Sequence, residues 1–317
     1  MRYEVPPEAR GLSLGKYLYD RLRLSRTLVR RAKNEGAILV NGEPVRVSHV
    51  LEGGERVELV LPSQGRVEPE PVPIAVVYED AELLVVDKPA GMVVHPVKDY
   101  QQGTLAGGVA YHLQAQGAEP VARPVQRIDR DTSGLVLFAK NPAVAGRLAT
   151  ELEKHKLERR YMAFVHGEVA GDAGTVDVPL RRVWGHPVAR EVALGPRTAE
   201  QEAELAAAAA SGTTLREDWK GTGQRAVTRW QVLRRWPGVS MLALQLETGR
   251  THQIRVHMAH LGHPLLGDTL YGSGGRPRRQ ALHAATLVLN HPVTGRELRL
   301  EAPLPADLIG LMMELDG

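Results

Sequence analysis

Two kinds of hydrophobic spacing alternate along the first sixty residues. Ser25 is positioned to cap a helix beginning at Arg26, on which Leu28, Val29 and Ala32 lie toward one side while Arg26, Arg30 and Lys33 recur along the other. Ala37 to Val40 then reads as a short strand, Asn41-Gly42 as a tight turn and Arg56 to Leu61 as a closing strand. The order is helix, helix, hairpin, strand. The stretch PSQGRVEPEPVPIA follows, with four prolines and no periodicity. Proline restricts its own backbone and that of the residue before it, so an extended, semi-rigid linker is expected. The predicted division is a small domain over 1–62, a linker over 63–75 and a larger domain over 76–317.

In the larger domain, Leu83 to Val86 and Met92 to Val94 read as strands flanking the turn Asp87-Lys88-Pro89-Ala90-Gly91. Leu135 to Ala139 is apolar throughout, as in a strand buried on both faces. Asn141-Pro142 opens a helix whose core stripe is Val144, Leu148 and Leu152. Leu242, Leu244 and Leu246 alternate as in a half-buried strand, and Thr251 caps a helix with Ile254, Met258 and Leu261 pointing inward. Without a β-α-β rhythm, this mixture predicts an α+β fold: a mixed, largely antiparallel sheet with flanking helices, preceded by a small α/β-hairpin domain. Residues 184–222, with the alanine-rich AEQEAELAAAAASG, read as an insertion carrying a short helix.

Composition narrows the chemistry. A chain of 317 residues is long enough for two cores. No apolar run approaches the roughly 18 residues that span a bilayer, and MRYEVPPEAR lacks the apolar core of a signal peptide, so the cytoplasm is the expected location. With no cysteine, disulfides, thiolate nucleophiles and Cys-ligated metals are excluded. A formal net charge of +3 is mild, so any polyanion must be held by local clustering. Such a cluster exists: Lys16, Arg21, Arg23, Arg26, Arg30, Arg31 and Lys33 face only Asp20 as counter-charge. By itself this cluster reads as a solvated helix face before a nucleic-acid contact.

Three segments carry candidate chemistry. RPVQRIDRDTSGLVLFAKN sets Arg127, Asp129, Arg130 and Asp131 in a loop before the buried strand, which suits either a structural ion-pair loop or a catalytic one. Asp129 and Asp131 form an Asp-x-Asp pair, but no third carboxylate is near in sequence to complete a hard-metal site. LQLETGRTHQIRVHMAHLGHPLLGDTLYG holds four histidines without an HExxH arrangement, so no metal is expected there either. Its Arg250 and Arg255 are more informative, because Arg255 falls at the edge of the apolar stripe, where a guanidinium reaches inward toward a carboxylate. LERRYMAFVHG places Tyr161 in a strand, a position that alone fits core packing.

In order, LLVVDKPAGMVVHP, RIDRDTSGLVLFAK, RRYMAFVHG, GQRAVTRWQVL and LETGRTHQIRVHMAHLGHPLLGD closely resemble the RluA-type family of RNA pseudouridine synthases. SRTLVRRAKNEGAILVNG resembles the helix and turn of the S-four RNA-binding domain, a common companion of that catalytic domain. The resemblance implies that Asp129 is the essential carboxylate, that Tyr161 stacks on the target uracil, that Arg255 pairs with Asp129 and that Arg127 helps displace the base. It further implies that Arg26, Arg30 and Lys33 contact phosphates, with Arg250 also on the RNA side. The expected activity is isomerisation of uridine to pseudouridine in large-subunit (23S) ribosomal RNA by a monomer needing no cofactor, metal or membrane. Two positions depart from the common pattern: Gln126 stands where histidine is frequent and Arg159 where lysine is, and neither is expected to touch the chemistry. The competing readings are a transfer-RNA-specific synthase, a non-catalytic ribosome-assembly protein, and a metal-dependent nuclease using Asp129 and Asp131.

Overall fold

The computed structural model describes residues 2–24, 29–30, 32–33, 38–59, 67–97, 99–183, 185–195, 203 and 223–317. Ser25, Arg26 and most of the 184–222 segment lie outside the described residues.

The N-terminal part is a four-stranded antiparallel sheet of β1 (Arg2–Glu4), β2 (Ile38–Val40), β3 (Glu43–Pro44) and β4 (Arg56–Leu59), in the order β1-β4-β2-β3. The turn between β2 and β3 holds Asn41 at φ 51° and Gly42 at φ 88°, the left-handed pair that a two-residue hairpin demands and that Asn-Gly adopts most readily. The short helix α1 (Leu14–Lys16), capped by the Ser13 hydroxyl, continues as a wider turn over Tyr17–Arg21. Leu14, Leu18, Val29, Ala32, Ile38 and Val57 pack into a core of their own. Val29, Arg30, Ala32 and Lys33 are helical, with Val29 and Ala32 buried and Arg30 and Lys33 exposed. Strand β1 goes unanticipated in the sequence, because three residues are too few to show alternation.

The second sheet has ten strands. They are β5 (Ala75–Glu79), β6 (Leu83–Lys88), β7 (Arg123–Pro124), β8 (Ser133–Ala139), β9 (Glu158–His166), β10 (Ala173–Asp177), β13 (Val227–Trp236), β14 (Val239–Leu246), β15 (Leu282–Asn290) and β16 (Glu297–Glu301). The order is β10-β13-β14-β9-β15-β8-β6-β5, with β16 beside β15 and β7 beside β8. Its pairings are antiparallel except β8 with β15, so the sheet is the mixed, largely antiparallel one expected. Strands β11 (Leu180–Arg182) and β12 (Arg190–Val192) form a separate ribbon, so the 184–222 segment begins with a paired strand.

Helix α2 (Leu105–Ala115) packs with Val136 and Phe138 of β8, and α3 (Pro142–Glu153) with Leu135 and Leu137, so alternate residues of β8 enter two different cores. Asn141 starts α3 by accepting a hydrogen bond from the Val144 N–H at 2.9 Å. Helices α4 (Gln253–His260) and α5 (Ala306–Asp316) follow later in the chain.

Four expectations need correction. Met92 to Val94 is not a strand; the carbonyls of Val93 and Val94 instead accept from the Leu105 and Ala106 N–H groups opening α2. Residues 67–74 are irregular yet packed, with Val67 buried in the α2 core and the Glu70 carboxylate accepting from Gly103 N–H at 2.7 Å. Helix α4 is entered through His252 in the left-handed conformation (φ 57°), not through a Thr251 cap, and the Gln253 N–H that such a cap would take goes to the Arg250 carbonyl at 3.1 Å. Leu261 follows α4 and is exposed.

Candidate active site

The site begins with strand pairing. On β15, Ala284 stands opposite Tyr161 of β9 on one side and Gly134 of β8 on the other, which sets Tyr161 across from the end of the Gln126–Ser133 loop. Only glycine fits at 134: φ is 109°, and a Cβ would stand 2.3 Å from the Ala284 carbonyl oxygen. The loop is anchored from beneath by Lys88, fully buried at the end of β6, whose ammonium donates to the carbonyls of Pro89, Met92 and Arg130 at 2.8 Å each. Burial pushes the Lys88 pKa down to about 7, opposed by the charges of Asp131 and Asp129. Arg279 adds a hydrogen bond to the Asp131 carbonyl at 3.1 Å.

Within the loop the two aspartates diverge. Asp131 accepts from Arg130 Nε at 3.0 Å and Nη2 at 2.9 Å. Asp129 turns into a cleft of about 850 Å³, where its Oδ2 receives Arg255 Nη1 at 3.3 Å and stands 4.0 Å from His252 Nε2. Its Oδ1 has no hydrogen bond among the described residues, and the side chain keeps 24% of its surface exposed.

Arg255 projects from α4 and reaches further than Asp129. Its Nε and Nη2 form a two-pronged contact with Asp268 at 2.7 and 2.9 Å. Burial raises the Asp268 pKa, but hydrogen bonds and charge from Arg255, with the N–H groups of Leu270 and Tyr271, hold it below the usual carboxylate range. Tyr271 lies under the guanidinium, 5.0 Å from ring centre to Cζ, and its hydroxyl meets His252 Nδ1 at 2.8 Å. Burial pushes the Tyr271 pKa up to about 12. It lowers that of His252, which Asp129 raises and Arg255 lowers.

Tyr161 is 6% exposed and lines the cleft; burial raises its pKa, and it senses the charges of both Arg159 and Asp129. Arg127 and Arg250 are exposed and line the same cleft. Thus Asp129, Tyr161, Arg255, Arg127 and Arg250 come together, whereas Arg30 and Lys33 belong to the N-terminal sheet unit and Arg26 is outside the described residues. Sequence reasoning missed Asp268, His252, Tyr271 and Lys88. The signals were faint: a lone lysine closing the apolar run LLVVDK, and an aspartate in the turn-rich LLGDTLYG. Gln126 and Arg159, expected to stand apart, also line the cleft, each with a buried polar atom that has no partner.

Among the described residues, no group of three or more His, Cys, Asp or Glu is arranged to hold a metal ion, and no helix is long and apolar enough to cross a membrane.

Residues 82–260 match the sequence family described as RNA pseudouridylate synthase. The chain is 38% identical over 302 residues to the uncharacterized RNA pseudouridine synthase YlyB of Bacillus subtilis, spanning 92% of this chain and 89% of that protein. It is 37% identical over 310 residues to ribosomal large subunit pseudouridine synthase D of Pasteurella multocida, spanning 92% and 87%. Among solved structures, human RNA pseudouridylate synthase domain containing 4 shares the fold, with a TM-score of 0.59 at 23% identity over 76% of this chain and 93% of that one. With a family match over residues 82–260, which include Asp129, Tyr161 and Arg255, and relatives alike along nearly their whole length, this chain belongs to the RNA pseudouridylate synthase family and is an RNA pseudouridine synthase, an isomerase.

Proposed function

We propose that the protein converts a uridine of large-subunit ribosomal RNA to pseudouridine, with Asp129 as the catalytic carboxylate. The observation that carries the reading is the division of labour on that carboxylate: Oδ2 is held by Arg255, while Oδ1 is free in the cleft. The reaction detaches uracil from the ribose through its nitrogen, turns it and rejoins it through carbon five, so no atom or electron is exchanged with another reactant. A fixed anion at the sugar is what such chemistry requires, whether it attacks the anomeric carbon or removes a ribose proton. Tyr161 stacks on the extruded base and Arg127 fills its place in the RNA, offsetting an unstacking cost on the order of a few kcal/mol. The divergence of Asp131 toward Arg130 speaks against a two-carboxylate metal nuclease.

The ribosomal target rests on relatives bearing that name, three of them 34–37% identical to this chain. Residues 1–62 are read as an S-four RNA-binding domain, supported by the exposed Arg30 and Lys33 on a helix whose other side is buried; Arg26 joins them by sequence. Residues 76–317 are the catalytic domain and 63–75 the connection. The protein works as a monomer in the cytoplasm.

The test is Asp129→Asn, which keeps the shape and removes the charge. Pseudouridine mapped in large-subunit ribosomal RNA should vanish while RNA affinity stays within a few-fold. Turnover matching that of the native chain would refute the assignment.

A further inference from the structure

One buried charge in the cleft has no part in the scheme above. Arg159 precedes Tyr161 by two residues on β9, so both side chains leave the same face of the strand, and both line the cleft. The residue is 7% exposed. Its Nε is buried without a partner, and its single hydrogen bond among the described residues is a long one, 3.5 Å from Nη2 to the Leu246 carbonyl. It has no ion pair with any described carboxylate. Of the three acids that line the cleft, Glu247 takes Arg229 Nε at 2.6 Å and Asp129 takes Arg255 at 3.3 Å, while Glu153 is exposed and forms no ion pair with Arg159. A guanidinium has five N–H donors and cannot shed its charge, so burial without a counter-ion is unfavourable unless a ligand supplies one.

The neighbouring chain makes room for this arginine. A Cβ on Gly249 would stand 2.5 Å from Arg159 Nη1, and Gly249 is not among the glycines with positive φ. A side chain at 249 would therefore push against the movable end of Arg159, and glycine leaves the guanidinium that space.

We propose that Arg159 is a phosphodiester-binding residue, receiving a backbone phosphate of the RNA strand whose uridine stacks on Tyr161. This rests on the cleft being the RNA site. A phosphodiester fits because its charge is permanent and its two non-bridging oxygens match the planar fork of a guanidinium. The position fits as well: two residues along a strand is about 7 Å, the scale that separates a nucleotide's base from its phosphate.

The experiment uses the full chain and a large-subunit ribosomal RNA transcript that the native protein modifies. Arg159→Met, Arg159→Lys and Gly249→Ala are compared for kcat, KM and the salt dependence of RNA binding, the last in an Asp129→Asn background so that no turnover intervenes. Arg159→Met should raise KM about tenfold or more, as for loss of a charge-assisted contact. It should also flatten the plot of log affinity against log salt by about one unit. Gly249→Ala, which displaces the guanidinium while leaving the charge in the chain, should raise KM in the same direction, and Arg159→Lys should keep the salt slope. If Arg159→Met proves unfolded, Gly249→Ala and Arg159→Lys still decide. A fall in kcat with KM and salt slope unchanged would mean that the guanidinium acts on the uracil, and unchanged kcat, KM and slope would make it a packing group; either overturns the proposal. A native chain that modifies no RNA would instead defeat the underlying functional reading.

Discussion

Arg255 and Arg159 line one cleft and are equally withdrawn from solvent, at 7% exposure each, yet their electrostatic circumstances are opposite. Arg255 lies between two carboxylates and over an aromatic ring, so its charge is balanced before any substrate arrives. Among the described residues Arg159 has one hydrogen bond, a long one to the Leu246 carbonyl. Burial alone therefore does not tell what a buried charge is for. A balanced guanidinium organises the protein and fixes Asp129, whereas an unbalanced one is complementary to something that comes from outside.

Stability measurements sharpen the contrast most. Asp268→Asn leaves the Arg255 guanidinium half-paired, and breaking a buried pair costs about 3–5 kcal/mol. Arg159→Met breaks no ion pair and should leave the unfolding free energy in denaturant unchanged or raised. Equal losses from the two substitutions would erase the distinction drawn between them.

A second separation is by pH. Helix α4, which carries Arg255, is pinned on its buried side by His257, whose Nδ1 meets Thr228 Oγ1 at 2.8 Å and whose Nε2 meets the Val178 carbonyl at 3.1 Å. Burial lowers the His257 pKa to about 4, the Val178 carbonyl opposing. The unfolded chain takes up this proton near pH 6.5, as an unperturbed histidine does, and the folded chain only near 4. The stability it supports is thus complete above about pH 6.5 and lost as pH falls toward 4, up to about 3 kcal/mol. In thermal melts the gap between the native chain and His257→Asn should narrow across that range; a constant gap would contradict the neutral, buried imidazole.

The smallest effect lies outside the cleft. Arg30→Ala with Lys33→Ala should change stability by less than about 0.5 kcal/mol, both side chains being exposed. RNA binding should lose up to about two units of salt slope. An unchanged slope would make that helix a solvated face and leave the cleft arginines as the main electrostatic contacts.

The elements readable in advance were those with local causes. The both-sided apolar run of β8, the Asn41-Gly42 turn and the Asn141 cap follow from side-chain periodicity and backbone preference within a few residues. Met92 to Val94 misled because its apolar residues serve a helix start, where carbonyls take amide donors from another segment. Thr251 misled because the Gln253 N–H that its hydroxyl would take goes to the Arg250 carbonyl. Resemblance marked Asp129, Tyr161 and Arg255 as a set, but passed over Arg159 as a neutral variation.

The amino-acid order by itself determined the strands and helices of strong period, the loop that presents Asp129 and the family to which the chain belongs. Only the tertiary structure decided which charges are answered. Arg255 finds one carboxylate 13 positions away and another 126 positions away, while Arg159 finds none among the described residues. Ion pairing depends on distance through space between segments far apart in the chain, and that is a property no local pattern of hydrophobic and polar residues encodes.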